Sequence, residues 1–210
     1  MNLFKYLETS HGLAEEGNPE QADCIVCLAF GRNDIPDNKL GAIGFLIKNG
    51  TDQVMIKRLK SYNFNPGLPN IQLAKQVMEL MKKYSLSAVV QWEIALAMDG
   101  EFYEEHQDQI FIVWPPKICK KGFNSKQVLE ATIMIMDNHD FNVPILVAHK
   151  LHIKRVVALW GAMVEEKPII VNQKVFCFDS NSIQKWTRSK QAWKRKEFLV
   201  RIHHLLLGWV

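Results

Sequence analysis

Five short apolar runs recur along the chain. They are "CIVCLAF" (24–30), "SAVVQW" (87–92), "QIFIVW" (109–114), "VPILVAH" (143–149) and "KPIIV" (167–171). Each is too short for an ordinary helix, and none shows the alternation of a strand with one wet face. Runs of this kind read as strands buried on both faces, as in a parallel sheet covered by helices. "KVFCF" (174–178) reads as a further short strand.

Helical periodicity fills the spaces between the runs. In "IQLAKQVMELMKKYS" (71–85), Ile71, Ala74, Val77, Met78 and Met81 recur at three-and-four spacing, and Lys82 and Lys83 close the last turn. That pattern predicts an amphipathic helix whose methionines fill core space. "EIALAMDGEFYEEH" begins as a helix, "KQVLEATIMIMDNH" is a helix capped by Asn124 or Ser125, and "IKRVVALWGAM" is one that Gly161 weakens or ends. A first helix is expected over 1–14. Alternating strands and helices argue for an α/β fold with helices on both faces of a mostly parallel sheet, in one domain over 1–210.

The 210 residues are 48% hydrophobic and 23% charged, enough to bury a real core. The net charge of +4 is too mild to indicate nucleic acid. Four cysteines in a chain this long suggest a reduced, intracellular protein. No run approaches the roughly 18 apolar residues of a membrane span, so a soluble, cytoplasmic protein is expected. Cys24 and Cys27 are three apart in a predicted strand and face opposite sides, which argues against a shared metal ion. No Gly-rich phosphate loop and no G-x-S-x-G turn is present. No motif assigns a cofactor.

Positive charge crowds the end of the fourth run. His149, Lys150, His152, Lys154 and Arg155 fall within seven positions. If the run is a parallel strand, the cluster lies at its carboxyl end and at the start of the next helix, where open α/β sheets take ligands. A helix start is already positive, so cations there call for a phosphate, a carboxylate or a neighbouring acidic side chain. His152, with an ordinary pKa of about 6.5, suits a hydrogen-bond donor or a catalytic acid/base. Arg155 suits an anion held by two parallel hydrogen bonds. Arg32, in the loop after the first strand, sits where further ligand contacts belong. Against this stands the plain alternative, with the lysines in solvent and one histidine packed passively.

The order of these segments resembles the YdcF-like family, the domain of unknown function 218, which includes proteins of SanA and ElyC type. The matching pieces are "ADCIVCLAFGR", "WEIALAM", "FNSKQVLEATIMI", "ILVAHKLHIKRVVALW" with its His-x-x-Arg, and the closing "WKRKEFLVRIHHLLLG". The chain has a single Gly31 where the family commonly has a glycine pair. The resemblance implies a Rossmann-like three-layer sandwich with a polar cleft for a nucleotide-like or other anionic small molecule. It implies ligand contacts at Gly31, Glu93, Ser125, Glu130 and Arg155, with His152 beside them.

The carboxyl-terminal segment raises a second possibility. From Lys185 to Arg201, seven lysines and arginines face one glutamate, and Trp186, Trp193, Phe198, Leu199, Ile202 and Leu206 supply apolar surface. A basic amphipathic helix suits an acidic membrane surface or a protein partner, which would make the protein a non-enzymatic docking module. It also suits a closing helix packed on the sheet, and, more remotely, a stacking surface for single-stranded nucleic acid.

Overall fold

The computed structural model describes residues 17–32, 65–114 and 124–208, and among the described residues five parallel strands form one central sheet. The strands are β1 (Cys24–Cys27), β2 (Ser87–Gln91), β3 (Ile110–Val113), β4 (Pro144–Val147) and β5 (Ile169–Ile170). Their order is β3-β2-β1-β4-β5, and every pairing is parallel. The predicted helix over 1–14, the stretch around 50–60, most of the loop after β1 and the basic loop after β3 lie outside the described residues.

The helices are α1 (Leu68–Tyr84), α2 (Trp92–Ala95), α3 (Gly100–Glu105), α4 (Ser125–Asn138), α5 (Ile153–Gly161) and α6 (Lys190–Leu206). Strand residues one apart face different layers. Ile25, Cys27, Ala88, Val90, Ile145 and Val147 meet α1, α3 and Trp193, whereas Cys24, Val26, Val89 and Leu146 meet α4 and α5. This is the Rossmann-like three-layer sandwich. Cys24 and Cys27 enter opposite cores, and burial pushes both thiols well above their ordinary pKa.

Strands β2 and β3 extend the sheet to one side of β1, and β4 and β5 to the other. The connecting helices change face with the direction, as uniform right-handed crossovers require. The reversal lies between β1 and β4, where such sheets open a crevice at their carboxyl edge. Asp23 fixes the opposite edge, since its carboxylate accepts from the N–H groups of Asn142 at 2.6 Å and Val143 at 3.1 Å.

Local chemistry sets the element ends. Asn124 caps α4 in a reciprocal capping box with Gln127. Gly161 ends α5. The helix expected from "EIALAM" onward is two short ones, because the Asp99 side chain accepts from the N–H groups of Glu101 and Phe102 and starts α3 afresh. The inner stripe of α1 is Asn70, Leu73, Ala74, Val77 and Met81, with Ile71 only half-buried. Asn70 replaces an apolar residue there because its amide holds the exit of β1. It accepts from the Phe30 N–H at 2.8 Å and donates to the carbonyls of Gly31 and Pro66.

One predicted strand is absent. "KVFCF" pairs with no strand among the described residues. The Gln173 amide takes the places a longer β5 would fill. It accepts from the Ala148 N–H at 2.9 Å and donates to the Leu146 carbonyl at 3.1 Å and the Val171 carbonyl at 2.7 Å. With those β4 groups satisfied, the ladder stops at Ile170. Among the described residues, no helix is long and apolar enough to cross a membrane.

Gln173→Ala removes three hydrogen bonds and leaves backbone groups of β4 unsatisfied. It is expected to destabilise the fold by about 1–3 kcal/mol or more in urea unfolding, at unchanged m-value.

Candidate functional site

The carboxyl ends of β1 and β4 are joined by rings. Phe30, just beyond β1, stacks on His149, just beyond β4, at 3.7 Å between centroids and 11° between planes. Trp193 of α6 lies 4.6 Å from Phe30, and His152 lies 6.2 Å away. His149 is fully satisfied: its Nε2–H donates to the Cys177 carbonyl at 3.0 Å and its Nδ1 accepts from the Leu151 N–H at 3.3 Å. Burial pushes its pKa down to about 4, so it is a neutral structural ring at physiological pH.

The predicted residues Ser125, His152 and Arg155 come together on the α4–α5 side of this stack. Ser125 is the first residue of α4, and its Oγ lies 3.1 Å from His152 Nε2. Arg155 donates to the same Oγ at 3.5 Å. If the hydroxyl, which accepts from the guanidinium, gives its own proton to Nε2, the imidazole hydrogen sits on Nδ1. The imidazole Nδ1 is buried and has no hydrogen-bond partner among the described residues. Burial first, then the positive charge of Arg155, holds His152 well below 6.5. It is a neutral hydrogen-bonding group at physiological pH.

The negative charge that the basic cluster demands is Glu197 of α6. Arg155 meets its Oε2 at 2.6 Å, and Arg201 meets its Oε1 at 3.1 Å. The Arg155 guanidinium also lies 5.1 Å from the Trp193 ring centroid. Of the three sources of negative charge weighed from sequence, an acidic side chain of the chain itself meets this guanidinium. The signal for it was the single acid in the basic segment 185–201. Lys150 is exposed, as the plain alternative had it.

Glu93 and Arg32 form a second group, at the ends of β2 and β1. Glu93 is buried, its Oε2 has no hydrogen-bond partner among the described residues, and burial raises its pKa to about 7 against the pull of Arg32. Arg32 lies over Trp92 at 5.4 Å, and Trp92 stacks near Trp114. Gln91 was missed from sequence; its side-chain oxygen accepts from the Ala29 N–H at 3.0 Å and braces this edge.

Two predicted contacts are placed elsewhere. Gly31 has a φ of 73°, and a side chain there would run into the hydroxyls of Ser182 and Thr187. The close approach that this glycine permits is therefore used by the chain's own later segment. Glu130 is exposed on α4 and pairs with Lys126 at 3.8 Å, an ordinary surface contact. A cavity of about 370 Å³ runs along β3, lined by residues such as Tyr103, Phe111, Ile135 and His139. It includes none of the predicted site residues.

Breaking the buried pair from one side leaves a charge stranded. Glu197→Leu alone is expected to cost about 3–5 kcal/mol in stability, and Arg155→Met with Glu197→Leu much less, as a double-mutant cycle would read. Acid should weaken the fold as well. His149 and His204 both fall from 6.5 to about 4, so the folded state takes up fewer protons than the unfolded one. The stability these two histidines contribute is expected to be lost from pH 6.5 downward, with their loss complete near pH 4, and His204→Gln to reduce it, as urea midpoints of variant and parent against pH would show.

Compared with protein-family models, with curated proteins and with solved structures, the chain matches none of them.

Proposed function

We propose that this is a cytoplasmic protein that binds a nucleotide-like or other anionic small molecule at the carboxyl edge of its sheet. The observation that carries this reading is a pair of buried polar atoms, His152 Nδ1 and Glu93 Oε2, both at that edge and both without a hydrogen-bond partner among the described residues. Buried polar groups nearly always find a partner, and a ligand's polar atoms would supply both. The reversal of strand order between β1 and β4 is where parallel α/β sheets hold ligands. The resemblance to the YdcF-like family carries the same expectation.

The roles follow from charge and protonation. Arg32 supplies positive charge beside an indole face. Neutral His152 donates through Nδ1–H to an acceptor on the ligand. Ser125 holds the imidazole in that tautomer, and Arg155, anchored by Glu197, holds Ser125. Glu93, with a pKa of about 7, is the group best tuned to exchange a proton near neutrality. Its protonated form is a donor and adds no negative charge against an anion. Gly31 and Glu130 have no part in this reading.

A thermal-shift screen over nucleotides, adenosyl compounds and sugar phosphates tests the proposal. A ligand at about a hundredfold excess over its dissociation constant stabilises by about 2.7 kcal/mol. Arg32→Ala and His152→Ala should abolish the shift. Binding should strengthen as pH falls through about 7, where Glu93 takes up its proton, and Glu93→Gln should flatten that dependence. A ligand whose shift survives all three substitutions binds elsewhere, and a screen with no shift at all sinks the reading.

A further inference from the structure

The inward and outward faces of α6 reverse those of an ordinary surface helix. Trp193, Glu197 and His204 are buried. Phe198, Leu199 and Leu206 stand 56%, 62% and 81% exposed, and Ile202 between them is half-buried. Positions 198, 199, 202 and 206 follow three-and-four spacing, so these apolar side chains make one stripe along the helix. Lys190, Lys194, Arg195 and Lys196 are exposed on α6, as are Lys185 and Arg188 just before it. Glu197, the one acid between 185 and 206, is buried beneath Arg155 and Arg201. This stretch therefore offers water six cations, an apolar stripe and no carboxylate.

A stripe of large apolar side chains left in water marks a surface that something covers. The exposed cations select an anionic occupant. They also oppose a second copy of the same face, which would bring like charges together. The stripe is convex, because its side chains project from a helix, and a lipid interface accepts such a face without a matching groove. We propose that α6 docks the protein on an anionic lipid surface, lying in the plane of the interface. Phe198, Leu199 and Leu206 enter the boundary between headgroups and acyl chains, and the lysines meet the headgroups. The cytoplasmic leaflet, with its negative surface potential, is the fitting surface. This inference stands independently of the small-molecule reading, since it uses the opposite face of the helix that Glu197 anchors.

Flotation of the full chain with vesicles tests it. Binding is expected to vesicles of phosphatidylcholine mixed with phosphatidylglycerol, not to phosphatidylcholine alone, and should weaken as salt rises. Lys194→Ala with Arg195→Ala should reduce partitioning about thirtyfold. Phe198→Ser with Leu199→Ser should abolish it with unchanged circular dichroism and thermal midpoint, because both side chains are already exposed. Failure to bind the mixed vesicles, equal binding to both kinds, or equally tight binding to soluble polyglutamate overturns the proposal. So does a dimer in sedimentation that Phe198→Ser dissolves.

Discussion

The carboxylate of Glu197 organises the carboxyl edge of this protein. It lies between Arg155 on α5 and Arg201 one turn further along α6, and all three side chains are largely withdrawn from water. A guanidinium at the end of a parallel strand and the start of a helix would be costly alone. Paired with Glu197, it can sit under Trp193 and hold Ser125 towards His152. The last helix of the chain thereby supports residues that the sequence lists some forty positions earlier. The same pairing sets the rotation of α6. The residue drawn inward is charged, and the large apolar residues on the far side are turned to solvent.

Much of the architecture was legible because a parallel sheet between two helix layers leaves a coarse imprint. Its strands carry no polar face, so "CIVC", "AVV" and "PILV" announce themselves without alternation. Two of the misreadings share one cause. Wherever a side-chain amide substitutes for backbone or apolar packing, pattern reading goes astray. Gln173 ends the ladder where "KVFCF" promised a strand, and Asn70 displaces Ile71 from the inner stripe of α1. Neither amide has a periodicity of its own, and its role depends on partners far away in the chain.

The site was half legible for a similar reason. The crowd of cations at 149–155 was visible, and so was its need for an anion. Which anion satisfied it was a tertiary fact. Glu197 lies forty-two positions beyond Arg155, and only its solitude in a basic segment hinted at the pairing. The apolar residues of the closing segment were visible too, but Trp193 turns inward with Glu197 and does not share the face of Phe198, Leu199 and Leu206. The protonation of His152 and Glu93 was not legible at all, because burial sets it and burial is a property of the assembled edge.

The placement of Cys24 and Cys27 has a consequence for following the motions of this protein. Three residues of extended chain put one sulfur beneath α4 and α5 and the other beneath α1 and its neighbours. Each thiol is sealed by its own slab of helices and becomes accessible only when that slab lifts. A single short strand thus carries two independent witnesses, one for each side of the molecule, and the order in which they are unmasked tells which side lets go first.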